Sequence, residues 1–212
     1  LLKADFFENK VERYDSWFER NRPAYESEIG AIRALLQTPG RGLEVGVGTG
    51  RFAAPLGLRF GIDPAMNMGK VAKKRGVEVI LGVGEKLPCK ENSLDSVLMV
   101  TTVCFLDDVQ AALKDAYRVL REGGNILVGF VDRESSLGKI YETHKKDNLF
   151  YKNASFLSAQ EVVSQLKQVG FRNFIFRQTI FRNPSEMKES DLVKAGHGEG
   201  SFVVVRGRKP FP

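Results

Sequence analysis

The sequence predicts an α/β fold, a doubly wound and mostly parallel sheet with helices on both faces, and three observations predict it. From Gly42 onward, short apolar runs alternate with stretches of helical period. Three glycines in Leu43-Glu44-Val45-Gly46-Val47-Gly48-Thr49-Gly50 separate the first apolar run from the helical pattern that opens at Arg51-Phe52-Ala53-Ala54. The second run, Arg59-Phe60-Gly61-Ile62-Asp63, ends in an acid, as the first does at Glu44 before its last apolar residue.

Taken in order, residues Ala4 to Phe18 carry Phe6, Phe7, Val11, Tyr14, Trp17 and Phe18 near a helical period. Pro23 suits the first turn of a second helix, whose apolar face is Ile29, Ile32, Leu35 and Leu36, with Thr38-Pro39-Gly40 as its stop. Seven strands follow, at Leu43–Val45, Arg59–Asp63, Val77–Leu81, Leu94–Val100, Asn125–Phe130, Phe174–Ile180 and Ser201–Arg206. Short helices are expected over Arg51–Leu56 and Ala65–Arg75. Asp107 or Asp108 caps a longer helix that runs to Leu120 and is ended by Gly123-Gly124. Ser158-Ala159-Gln160-Glu161 has capping-box spacing ahead of Val162, Val163, Leu166 and Val169, with Gly170 at the C-cap. No helical stretch separates the last two strands, so they are expected to pair as an antiparallel hairpin.

With 212 residues the chain is expected to form a single domain: an N-terminal helical lid over 1–40, a core over 41–130, and substrate-side segments with the hairpin over 131–212. No apolar run approaches a bilayer span, and the charged N-terminus lacks a secretory core. Cys89 and Cys104 have no CxxC spacing, which indicates neither a disulfide framework nor zinc and fits the cytoplasm. The net charge of +6 is scattered, without an aromatic-interleaved basic stripe. It reads as solvated surface before it reads as a nucleic-acid footprint, and it also suits an anionic small-molecule substrate.

In doubly wound sheets ligands bind beyond the carboxyl ends of the strands, near the switch point of strand order. The Gly46–Gly50 turn, Asp63, the residues after Leu81, and Thr101/Thr102 should therefore converge. A carboxylate at Asp63 can accept from both hydroxyls of a ribose; its structural alternative is a helix N-cap. A dinucleotide site wants G-x-G-x-x-G, and here Arg51 stands three residues after Gly48 where the third glycine belongs. The E-x-G-x-G-x-G arrangement instead suits a cofactor without phosphate.

With these motifs in register, the chain resembles the class I S-adenosylmethionine-dependent methyltransferases, in particular the small-molecule group similar to ubiquinone/menaquinone-biosynthesis enzymes. The resemblance is carried by Leu43 to Gly50, Gly61-Ile62-Asp63-Pro64, Gly84-Glu85-Lys86-Leu87-Pro88, Ser93-Leu94-Asp95-Ser96-Val97 and Tyr117-Arg118-Val119-Leu120-Arg121-Glu122-Gly123-Gly124. It implies a Rossmann-like, seven-stranded sheet with an antiparallel C-terminal strand. It implies S-adenosylmethionine as cofactor and S-adenosylhomocysteine as product, and with two His and no clustered carboxylates in the chain no metal is expected. Backbone at Gly46 and Gly48 would hold the methionine tail, with Gly50 also counted in the cofactor turn and Glu44 steadying the turn or a water near the amino group. Asp63 would take the ribose, Pro64 and Met68 the adenine, and Gly84 and Glu85 its other face. Thr101 would lie near the sulfonium. Tyr14 looks like part of an N-terminal lid, or is an aromatic packed in the core.

Two departures from the family stand out. Val83 and Gly84 replace an Asp-Ala pair, which implies altered adenine contacts. Cys89 follows Pro88, a pairing similar to that of cytosine-C5 enzymes, but it precedes the fourth strand and reads as a packed side chain. Thr101-Thr102-Val103 stands where adenine-N6 enzymes carry Asn/Asp-Pro-Pro-aromatic, against that class of nucleic-acid methylation. The reaction implied is in-line methyl transfer to a small-molecule acceptor. RNA or protein methylation, and a cofactor-binding regulator without turnover, stay open beside it. Candidates for a base are Tyr14 and His197, the latter expected beside Glu199 on the carboxyl-end loop; Arg133, Tyr141 and His144 also begin on that side.

Overall fold

The computed structural model describes residues 3–36, 40–148 and 150–211. At its centre is a twisted sheet in the order β3-β2-β1-β4-β5-β8-β6-β7. The strands are β1 (Gly42–Val45), β2 (Phe60–Asp63), β3 (Glu78–Leu81), β4 (Leu94–Val100), β5 (Leu120–Val131), β6 (Arg172–Thr179), β7 (Lys194–Ala195) and β8 (Phe202–Arg208). β1 to β5 pair in parallel, whereas β8 runs antiparallel to both β5 and β6. The sheet thus has the expected form with one strand more than the seven predicted. β7 is two residues long and joins the edge by pairing with Arg177 and Gln178.

The helices are α1 (Val11–Arg20), α2 (Arg22–Arg33), α3 (Ala53–Leu56), α4 (Met66–Lys74), α5 (Val109–Val119), α6 (Ser136–His144) and α7 (Ala159–Val169). A 3-10 segment, Lys3–Asn9, precedes α1, so the aromatic N-terminal stretch is broken at Lys10 rather than continuous. Pro23 sits in the first turn of α2, where its missing N–H costs nothing. Thr38 and Pro39, expected to stop that helix, lie outside the described residues. α5 ends at Val119, and Gly123-Gly124 falls within β5 instead of closing the helix. Asp108 caps α5 through Ala111 N–H, and Ser158 and Glu161 form the reciprocal capping box of α7. α6 was not foreseen.

Side chains alternate across the strands and divide the core in two. Leu43, Val45, Val97, Met99, Ile126 and Val128 pack under α5 and α7. Leu98, Val100, Leu127 and Val204 face the opposite layer, built on Ile29 and Ile32 of α2 and Ala72 of α4. β4 is nearly continuous in burial, as its unbroken apolar run requires. Strand order reverses between β1 and β4, so their carboxyl ends splay apart and leave a crevice there.

Candidate active site

The glycine turn follows β1 and is pinned to β2, with Gly46 N–H and Val47 N–H both donating to the Ile62 carbonyl. Gly46 and Gly48 have φ of +70° and +52°, a region that side chains disfavour. A Cβ on Gly46 would come within 2.5 Å of Thr102 Oγ1, and one on Gly48 within 3.4 Å of the Tyr14 hydroxyl. Opposite the turn, Asp63 is 7% exposed and accepts Gly48 N–H on Oδ2 and Ala65 N–H on Oδ1, both at 2.8 Å. Each oxygen keeps a further acceptor site. Burial raises the Asp63 pKa above the ordinary carboxylate value, opposed by those two backbone donors.

The N-terminal segment closes over this crevice. Glu8 accepts Asn67 N–H at the start of α4, and Asp15 accepts from Thr49 Oγ1 and from Arg51 and Arg75. Arg51, the residue that breaks the dinucleotide pattern, therefore ties α1 to the glycine turn. The Tyr25 hydroxyl donates to the Arg51 carbonyl and fixes α2 to the same point.

Two cavities of about 100 and about 120 Å³ result, sharing Phe7, Tyr14, Thr101 and Phe105 in their walls. Each is several times what one ordered water needs, which is small-molecule space. The first lies at the switch point and is lined by Tyr14, Gly46, Gly48, Asp63, Pro64, Met68, Gly84, Glu85 and Thr101 among the predicted residues. Two predicted residues stand behind it. Gly50 packs on α4, where a Cβ would meet Ala72 Cα at 3.1 Å. Glu44 is 1% exposed with Oε2 unpartnered, and burial holds its pKa well above the ordinary value. Glu85 receives the Asp107 and Asp108 N–H groups on one oxygen, so its carboxylate also holds the loop before α5. Val83 lines the first cavity too, and Gly84 is packed so tightly that a Cβ would meet Val45 Cγ1 at 2.8 Å.

The second cavity runs under α1, α2 and α6. Tyr14 spans the wall between the two, its phenol held well above the ordinary value by burial and by Glu44 and Asp63, so it stays a neutral donor. Thr101 and Ile180 both have positive φ, +50° and +62°, and both line this second cavity. Branched residues in that region are strained, and such strain concentrates at functional sites. His197 lies elsewhere, against the Phe176 ring in a shallow surface groove with Arg133. Glu199 pairs with Lys194 on the surface, and the His144 ring contacts the Ile140 carbonyl at the exposed end of α6. Tyr141 does reach the second cavity.

Sequence reasoning missed Phe7, Phe105, Asp107 and Glu28 as lining residues. For Glu28 a signal existed. Ala24, Ala31 and Ile32, at helical spacing around it, form the buried stripe of α2 and place an acid inside that stripe.

Residues 43–128 match the family model of a methyltransferase domain. The chain is 44% identical over 203 residues to an uncharacterized protein of Methanocaldococcus jannaschii, covering 96% of this chain and 98% of that protein. A crystal structure from Thermotoga maritima, described as a SAM-dependent methyltransferase and possible histamine N-methyltransferase, is 50% identical with a TM-score of 0.96, covering 98% of this chain and 99% of that one. The chain belongs to the class I S-adenosylmethionine-dependent methyltransferases. The methyltransferase is also 31% identical to a demethylmenaquinone methyltransferase of Roseiflexus over 144 residues, 56% of this chain and 60% of that enzyme.

The first cavity of the methyltransferase fits S-adenosylmethionine. Asp63 offers two anchored oxygens to a pair of vicinal hydroxyls, Pro64, Met68 and Gly84 make an apolar slot, and the open glycine turn presents bare backbone. Asp63, Glu85 and Asp107 are its charged lining residues, with no Lys or Arg among the described ones, which suits a cationic ligand. Among the described residues no cluster of His, Cys, Asp or Glu is arranged to hold a metal ion, and no helix is long and apolar enough to cross a membrane.

Proposed function

We propose that the methyltransferase methylates a small-molecule acceptor bound in the second cavity, with S-adenosylmethionine in the first. The observation that carries this reading is the meeting of two adjoining cavities at Thr101 and Tyr14, where donor and acceptor would face each other. When bound, the cofactor supplies an electrophilic methyl carbon on a cationic sulfur. Gly46 and Gly48 leave backbone room for its amino-acid tail, Asp63 takes the ribose, and Pro64, Met68 and Gly84 take the adenine. Glu44 steadies the turn from behind. Phe7, Tyr14 and Phe105 exclude water and hold the acceptor in line, which is the main task of the protein when the cofactor provides the driving force.

On this reading the whole chain works as one domain, with 1–40 as the lid, 41–130 as the cofactor core and 131–212 supplying acceptor-side walls. Cys89 and Cys104, thiols rather than a disulfide, fit a cytoplasmic setting. Calorimetry with S-adenosylhomocysteine and NAD, followed by a methyl-transfer screen over quinols, phenols, amines and thiols, tests it. Binding of S-adenosylhomocysteine and turnover of a small molecule are expected. NAD binding instead overturns the cofactor assignment, and turnover of RNA or protein alone overturns the acceptor assignment.

A further inference from the structure

The Glu28 side chain is 7% exposed on α2 and lines the second cavity, and burial is the sole cause that shifts its carboxyl, with no hydrogen bond from a described residue contributing. Serine 27 beside it is bonded to the Pro23 carbonyl and to Asp191 N–H, so the fold satisfies the neighbour and leaves the acid bare. Among the described lining residues Glu28 is the one charged type; the rest are apolar or aromatic apart from Thr101 and Asn148. Ten of the seventeen are aromatic, among them Tyr14, Trp17, Phe105, Tyr141, Phe150 and Tyr151. Their faces attract cations, and a buried carboxylate without a partner calls for one. An anionic acceptor, which the net charge of the chain would suit, finds no cation here.

We propose that the acceptor is a primary or secondary amine with an apolar or aromatic body, held in the second cavity with its nitrogen on Glu28, which takes the amine's proton. This deepens the small-molecule reading above and rests on it. The amine arrives as an ammonium and forms an ion pair with the carboxylate. Transfer of one N–H proton to Glu28 frees the nitrogen lone pair. That pair forms the new nitrogen–carbon bond as the methyl carbon–sulfur bond breaks and its electrons pass to sulfur, leaving a neutral thioether and a methylated ammonium. Glu28 keeps the transferred proton as the methylated ammonium leaves, so the free acid is restored and the one proton of the net reaction is the one released on binding.

The surroundings support the proton's route. Burial alone pushes the Glu28 pKa up to about 8. Tyr14 of α1, Tyr25 of α2 itself, Tyr141 of α6 and Tyr151 face it, and burial raises all four phenols, so they stay neutral. At neutral pH the free acid and the free ammonium each hold a proton, whereas the bound pair as a whole has less need of both. Binding should therefore release protons.

The test uses the full chain saturated with S-adenosylhomocysteine and three probes of one shape: 2-phenylethylamine, 2-phenylethanol and phenylacetate. The amine should bind at least tenfold tighter than the alcohol, phenylacetate should not bind, and calorimetry in two buffers at pH 7 should show proton release with the amine. Glu28→Gln should cut amine affinity at least tenfold and abolish the release, while leaving S-adenosylhomocysteine affinity and the alcohol unchanged. Labelled S-adenosylmethionine should place its methyl on the amine nitrogen. Equal binding of amine and alcohol, preference for phenylacetate, failure of all three probes, or an unaltered amine affinity in Glu28→Gln each overturn the proposal. Failure of S-adenosylhomocysteine to bind the wild-type chain is a different result and overturns the cofactor assignment instead.

Discussion

Arg51 and Asp15 form a bidentate pair, Nε to Oδ1 at 2.9 Å and Nη2 to Oδ2 at 2.7 Å, that joins the glycine turn to the N-terminal helix. Arg75 of the α4 C-terminus and Thr49 of the turn converge on the same carboxylate. Burial alone would raise the Asp15 pKa, but hydrogen bonds from Arg51, Arg75 and Thr49 outweigh it and hold the acid well below its usual range. The position that breaks the dinucleotide pattern is thus what ties α1 to the glycine turn.

Asp15→Ala should loosen that tie. Two guanidinium groups lose their acceptor, at a cost of about 1–3 kcal/mol, and S-adenosylhomocysteine should dissociate at least tenfold faster. Urea unfolding and stopped-flow release measure the two effects. The pH dependence has a definite sign. A carboxylate whose folded pKa is depressed stabilises the fold above its unfolded value, about 3.9, and loses that contribution as pH falls through the folded value. The wild-type protein should therefore lose stability more steeply than the variant below about pH 4.

Asp63→Ala should weaken S-adenosylhomocysteine binding by about two orders of magnitude, the scale of two charge-assisted hydrogen bonds. It also strips acceptors from Gly48 N–H and Ala65 N–H, so thermal melting must accompany the titration. Affinity within threefold of wild type would remove Asp63 from the binding site.

Gly46→Ala places a methyl 2.5 Å from Thr102 Oγ1 and 2.6 Å from its Cγ2, at a φ of +70°. The backbone alone costs about 1–2 kcal/mol for a side chain in this region, and the collision adds to it. Thr102→Ala in the same chain removes both colliding atoms. The double variant should therefore regain part of the melting temperature and of the cofactor affinity. No recovery would mean that backbone conformation alone accounts for the loss.

The glycine turn, Asp63 and most of the strands were legible because each rests on a local rule: a backbone that needs positive φ, an acid at a strand end, an unbroken apolar run. β7 was not, since two residues held by Arg177 and Gln178 leave no periodic trace. α6 was hidden by Gly138, which argues against a helix in sequence but is required in space, where a Cβ would lie 2.0 Å from the Asp132 carbonyl. The second cavity could not be read at all. Its walls come from segments as distant as Phe7, Leu137 and Phe202, whose aromatic and aliphatic side chains carry the same signature as ordinary core. His197 drew attention by residue type alone, and the turn after β7 sets it against Phe176 of β6, among the lining of neither cavity.

Glu28 also makes a prediction for stability that is separate from binding. With a folded pKa of about 8 against about 4.5 in the unfolded chain, the acid keeps its proton in the native state while the unfolded state gives it up. Between those values the native state binds more protons, so the contribution of Glu28 to stability is greatest below about pH 4.5 and falls as pH rises, by at most about 1.4 kcal/mol per pH unit. Glu28→Leu removes this slope and fills the same space with apolar atoms. Its melting temperature should exceed that of the wild type by a margin that widens from pH 5 to pH 8, read by calorimetry at matched ionic strength. A residue kept to hold the fold together would show the reverse, a loss at every pH. A gain in stability joined to a loss of amine binding is what a group retained for chemistry produces.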